Sequence, residues 1–200
     1  MSTAHKSLDG HTRKRFYLFR HGEVDYTPQG KVVKNPDLVD LTEVGKKQAK
    51  SIDENTKEFS IERIICSGLP RTLQTAEHIA SRREITIECF PLLKEYEFYR
   101  RITCQLETII KEDWSEMAAF LHGAVNAAIM CWVNDVDISF ASKYDQDHAA
   151  LNIIDIDVNK KGEIVRKILK RYNIPPNLST IDSDMRSSWE NTASKIANLK

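Results

Sequence analysis

The sequence predicts an α/β protein, a three-layer α/β/α sandwich around a mostly parallel sheet. Three observations carry that prediction. Short apolar runs that read as buried strands, among them Phe16-Tyr17-Leu18-Phe19 and Met117-Ala118-Ala119-Phe120-Leu121, alternate with stretches whose apolar residues recur at helical spacing. Strands that alternate with helices pair in parallel and are covered on both faces. Two late runs, 149–157 and 164–172, flank Asn159-Lys160-Lys161-Gly162, a hairpin turn that adds an antiparallel pair.

Taken in order, residues 1–14 are polar and basic and read as an N-terminal extension without a leader's apolar segment. The predicted domain runs from 15 to 174. Its first strand covers 15–20, and a long loop follows over 22–40, punctuated by Pro28, Gly30, Asn35 and Pro36. Thr42 is placed to cap a helix with Glu43 in its first turn, extending to about Phe59 with Val44, Ala49 and Ile52 facing a core. A second strand spans 61–67, and Pro70 sits at a favoured first helical position ahead of the stripe Leu73, Ala76 and Ala80. Residues 86–90 form a short third strand, 101–112 a helix and 117–121 a further strand. The helix at 124–134 is apolar nearly all round and so predicted to be buried. The tail, 175–200, has few apolar residues and no period, and is expected to be partly disordered.

With 200 residues and 41% hydrophobic content the chain fills one substantial core. Lysine plus arginine equals aspartate plus glutamate at 29 each, so no global field recruits nucleic acid or an anionic membrane surface. Any affinity for anions must be local. Cys66, Cys89, Cys104 and Cys131 contain no C-x-x-C pair, and three lie within or beside apolar runs. They are expected to be buried free thiols in a reducing compartment, with the cytoplasm as the default. No stretch is long and apolar enough to cross a bilayer as a helix.

The chemistry is concentrated at predicted strand ends. Arg20-His21-Gly22-Glu23 closes the first strand, Ser67-Gly68-Leu69-Pro70-Arg71 follows the second, and His122-Gly123 follows the strand at 117–121. Ligands of open α/β sheets bind outside the carboxyl ends of strands. Arg71 stands in the first turn of a helix, where positive partial charge makes a cation unfavourable by about 0.3–1 kcal/mol. A bound anion, phosphate above all, would compensate. A carboxylate such as Glu95, or plain solvent, would serve the same residue in a structural role.

These segments together resemble the histidine phosphatase superfamily, the phosphoglycerate mutase-like family. Arg20-His21-Gly22-Glu23 is similar to its signature, and the segment from Leu41-Thr42-Glu43-Val44-Gly45 to Gln48-Ala49 is similar to its first helix start. Ser67-Gly68-Leu69-Pro70-Arg71 with Gln74-Thr75-Ala76, Leu93-Lys94-Glu95 and the second His-Gly follow in the family's order, so the likeness spans roughly 15–172. It implies phosphoryl transfer without a metal or other cofactor. His21 would be the nucleophile, with Arg20, Arg71 and His122 holding the phosphoryl oxygens. His21 would be neutral and His122 protonated once phosphate is bound. Glu95 would act as general acid and then base, although Glu97 lies on the same side of an extended segment and spacing does not choose between them.

Family members commonly carry a long covering insertion before the second histidine, whereas this chain has only residues 96–121 there. The likeness therefore implies a reduced lid and an open pocket. The expected activity is hydrolysis of phosphomonoesters, on a phosphorylated small molecule or a phosphopeptide. Phosphoglycerate mutase-type transfer, or a weakly catalytic phosphate-binding scaffold, are the alternatives. Oligomerisation stays open.

Overall fold

The computed structural model describes residues 5–6, 10–94, 99–177 and 194–197. Its strands are β1 (His5–Lys6), β2 (Thr12–Arg20), β3 (Arg63–Cys66), β4 (Ile87–Cys89), β5 (Glu116–Leu121), β6 (Leu151–Val158) and β7 (Ile164–Ile174). They form one sheet in the order β4-β3-β5-β2-β6-β7, with β1 beside the start of β2. β4, β3, β5 and β2 run parallel, and β6 and β7 extend the sheet as the antiparallel pair that the turn at 159–162 announces.

Among the described residues, α1 (Glu43–Asn55), α2 (Pro70–Arg83), α3 (Tyr99–Lys111) and α4 (Gly123–Val133) cover it. The period of two along each strand divides the core. Tyr17, Phe19, Ile64, Cys66, Ala118 and Phe120 point to the face covered by α1 and α2, where Ile52, Ala76 and Ile79 meet them. Phe16, Leu18, Ile65, Met117, Ala119 and Leu121 point to the other face, against Ile102, Leu106 and Ile109 of α3 and Val125 and Ile129 of α4. Three layers result, as predicted.

Several boundaries and faces move. β2 begins at Thr12 rather than at residue 15, because its polar start is paired: Arg13 makes a bidentate contact with Asp157 of β6 at 2.8 and 3.0 Å, and Lys14 is buried over the Trp114 ring. α1 ends at Asn55, where the Thr56 amide and hydroxyl both return to the Ile52 carbonyl. Val44, expected to face the core, is 50% exposed, and Gly45 takes the inward position with Ala49 and Ile52. All four cysteines are free, but Cys89 and Cys104 are exposed rather than buried. Cys89 ends an edge strand and Cys104 lies off the buried stripe of α3, so standing beside apolar residues does not bury them.

The segment before the second histidine strand is largely α3, whose apolar side is core. It supplies a layer of the sandwich. The tail prediction falls mostly outside the described residues, although 194–197 is helical. Among the described residues no helix is long and apolar enough to cross a membrane.

Candidate phosphate site

Register brings the two histidines together. Arg20 of β2 stands opposite Leu121 of β5, so His21 and His122 leave adjacent parallel strands at the same level. Their ring centroids lie 5.4 Å apart. Cys66 of β3 stands opposite Phe120, which sets Ser67 and the start of α2 beside them, with Arg71 in its first turn. His21, His122 and Arg71 are 2%, 0% and 1% exposed, so the openness expected from the short insertion does not extend to these side chains.

The His21 loop is clamped from two helices. The Gly22 amide donates to Thr75 Oγ1 at 3.0 Å, and the Glu23 amide donates to Gln48 Oε1 at 2.8 Å. Thr42 caps α1 by accepting from the Gly45 amide at 3.0 Å while its hydroxyl donates to Glu23 Oε1 at 2.7 Å. Gly45 is required by contact: a β-carbon there would lie 2.2 Å from the Glu23 carbonyl oxygen, and one on Gly22 would lie 2.8 Å from the Gly45 carbonyl oxygen. Two backbones touch where side chains would part them.

Hydrogen bonding sets the tautomer of each ring. His21 Nδ1 lies 2.7 Å from the Gly22 carbonyl, which only accepts, so Nδ1 carries the hydrogen and Nε2 the lone pair. His122 Nε2 lies 2.8 Å from Ser67 Oγ, which lies 3.1 Å from Thr72 Oγ1, and that hydroxyl donates to the Leu69 carbonyl at 2.8 Å. An Nε2–H tautomer of His122 lets each contact of this relay carry one proton.

Both rings are held well below the usual imidazole range. Burial is the main cause for each, and the positive charge of Arg20 and Arg71 adds to it at both. Their surroundings thus favour the neutral form of both rings, and the protonated His122 expected above needs the charge of a bound phosphate. Arg71 Nη1 donates to the Pro36 carbonyl at 2.9 Å, which ties the long loop at 22–40 to the site. Arg20 Nη1 donates to the Gln146 carbonyl.

Sequence reasoning missed His148. Its Nε2 lies 3.0 Å from Arg20 Nη2, and its ring centroid lies 5.7 Å from that of His21. Burial and then the Arg20 charge push it well below the ordinary value as well, so the neutral ring is the acceptor. Nothing in Asp145-Gln146-Asp147-His148 marks it, since the link depends on the Ala149 amide donating to the His21 carbonyl across the sheet at 3.1 Å. Of the five residues expected at the site, Arg20, His21, Arg71 and His122 meet there. Glu95, and its alternative Glu97, lie outside the described residues. Among those described, no group of three His, Cys, Asp or Glu is placed to hold a metal ion.

The model of the histidine phosphatase superfamily (branch 1) matches residues 16–99 and 96–168. The chain belongs to the histidine phosphatase superfamily. Within it, the chain is 29% identical over 134 residues to a probable phosphoglycerate mutase GpmB of Cronobacter sakazakii, covering 56% of this chain and 62% of that protein. It is 37% identical over 81 residues to a protein of the same name in Proteus mirabilis, covering 40% of this chain and 37% of that one. The match thus spans less than two thirds of these curated relatives. Among solved structures, a putative alpha-ribazole-5'-P phosphatase from Escherichia coli superimposes with a TM-score of 0.68 at 18% identity, over 80% of this chain and 96% of that one. A mycobacterial glucosyl-3-phosphoglycerate phosphatase superimposes with a TM-score of 0.61 at 16% identity, over 81% and 99%. These superpositions establish the histidine phosphatase fold.

Proposed function

We propose that this histidine phosphatase superfamily member hydrolyses phosphomonoesters without a metal, through a phosphohistidine on His21. The observation that carries the reading is the His21 tautomer: Nδ1 is tied to the Gly22 carbonyl at 2.7 Å, which leaves the Nε2 lone pair beside two arginines and a second imidazole. A neutral, oriented nitrogen is a competent nucleophile, and the neighbouring guanidiniums offset the charge that develops on the phosphoryl oxygens. In the reaction His21 Nε2 attacks phosphorus while the ester oxygen departs. Water then releases phosphate and restores the imidazole. Arg20, Arg71 and His122 bind the oxygens, and the dianion draws a proton onto His122 that burial and the two arginines otherwise disfavour. Glu95 is the proposed acid for the leaving oxygen, with Glu97 as its alternative. A phosphorylated small molecule or a phosphopeptide is the proposed substrate class.

The test is a phosphomonoester panel assayed with EDTA, joined to a rapid base quench. Turnover that survives chelation and an acid-labile, base-stable phosphoenzyme are expected, and His21→Ala should abolish both. Turnover undiminished in His21→Ala would sink the reading. The names of the curated relatives support mutase-type transfer as a second reading. An isomeric phosphate ester formed without release of inorganic phosphate would favour it.

A further inference from the structure

Cys66 and Cys89 stand directly opposite one another, at the ends of the parallel neighbours β3 and β4. Their Sγ atoms are 3.8 Å apart. Neighbouring strands lie about 4.8 Å apart, within the roughly 4.4–6.8 Å that a disulfide spans between α-carbons. β4 is a three-residue edge strand and Cys89 is its exposed last residue, so one partner is reachable from solvent and can shift with little resistance. The other partner is wholly buried and adjoins the phosphate site.

We infer that Cys66 and Cys89 are an oxidation site for hydroperoxides, and that closing their disulfide disarms the phosphate site. The connection is short. Cys66 Sγ accepts a hydrogen bond from the Gly68 amide at 3.3 Å, and the residue between them, Ser67, holds His122 Nε2 at 2.8 Å. Gly68 adopts φ +83°, and a β-carbon there would lie 3.4 Å from Cys89 Cβ, so the turn rests on Cys89. Drawing the sulfurs from 3.8 Å to about 2.0 Å moves both supports of the turn that carries Ser67 and leads into Arg71. Displacements of about 1 Å in a catalytic group cost up to ~100-fold in rate.

The chemistry balances with one peroxide. The Cys89 thiolate attacks a peroxide oxygen, the O–O bond breaks, and Cys89 becomes a sulfenic acid as hydroxide leaves and takes up the thiol proton as water. Cys66 sulfur then displaces the sulfenic oxygen: the S–S bond forms, the S–O bond breaks, and the Cys66 proton departs with that oxygen as a second water. Two thiols are oxidised by two electrons and the peroxide is reduced by two. Burial pushes the Cys66 thiol up to about 11, which leaves Cys89 to react first. Cys89 is exposed, and exposed disulfides are the readily reduced, regulatory kind.

The disulfide is independent of the proposed hydrolase function; its effect on activity rests on that reading. Purified full-length protein would be treated with hydrogen peroxide, alkylated and digested, with phosphomonoesterase activity and calorimetric binding of inorganic phosphate measured before, after, and following a dithiol reductant. A peptide pair joined through Cys66 and Cys89 is expected, with activity at least tenfold lower, recovered on reduction, and unaffected by peroxide in Cys89→Ser. Absence of the joined pair overturns the inference, as does equal loss in Cys89→Ser, or a joined pair with activity and phosphate binding unchanged. Reduced protein that binds phosphate but turns over no ester would refute the hydrolase reading alone, and phosphate binding would then report the switch.

Discussion

His148 and Ser67 show how much of this site depends on groups that hold other groups. Arg20 is a fork whose two terminal nitrogens reach the Gln146 carbonyl and His148 Nε2, the latter at 3.0 Å. A hydrogen bond to a charged group contributes about 1.5–3 kcal/mol, so His148→Ala is expected to lower kcat/KM by roughly 10- to 100-fold through Arg20. His148→Gln, which restores an acceptor, should recover part of the loss in steady-state assays; no change in either variant would show that Arg20 is positioned without it. Ser67→Ala removes the partner of His122 Nε2 and is expected to raise KM for phosphomonoesters, with wild-type folding verified by circular dichroism. His21, His122, Arg20 and Arg71 were legible because each stands in a recognisable strand-end or helix-start motif. His148 was not, since it reaches the site only through the pairing of β6 with β2.

At the scale of elements, α1 is defined as much by what it must not carry as by its cap. Gly45→Ala places a β-carbon 2.2 Å from the Glu23 carbonyl oxygen, so either α1 or the His21 loop has to move. Overpacking of this kind costs about 1–3 kcal/mol, which should appear as a lower midpoint in urea and as weaker activity. The helix is legible from Thr42 and its period, but Val44 faces solvent and Gly45 takes the inward position, which has no room for a β-carbon. The antiparallel edge carries a different prediction. Asp157, buried between Arg13 and Arg166, has its carboxyl held below the usual range, chiefly by the Arg13 hydrogen bond. A lowered folded value means that the ionised group stabilises above the ordinary aspartate range and that this contribution is lost as pH falls through the folded value. Asp157→Asn should therefore destabilise at neutral pH and lose most of that effect in acid, as measured by thermal unfolding across pH.

For the whole molecule, burying three neutral histidines in one site links folding to protons. The unfolded chain takes up protons on His21, His122 and His148 as pH falls through about 6.5, whereas the folded chain resists them. Stability is complete above that value and declines below it, by up to about 1.4 kcal/mol per pH unit for each group until the folded values are reached. Urea unfolding at neutral and mildly acidic pH should show the decline, and His21→Asn should flatten it; an identical slope in the variant would contradict the linkage.

The sequence by itself determined the fold class, the order of its elements and four residues that meet at the candidate site. Local chemistry suffices there, because a cap, a proline, an apolar run or a strand-end histidine is read within a few neighbours. Tertiary structure alone decided the Ser67 relay, the His148 contact and the pairing of Cys66 with Cys89. Each of these depends on which strands are adjacent and at what register, and that is settled only when the whole sheet closes around its two cores.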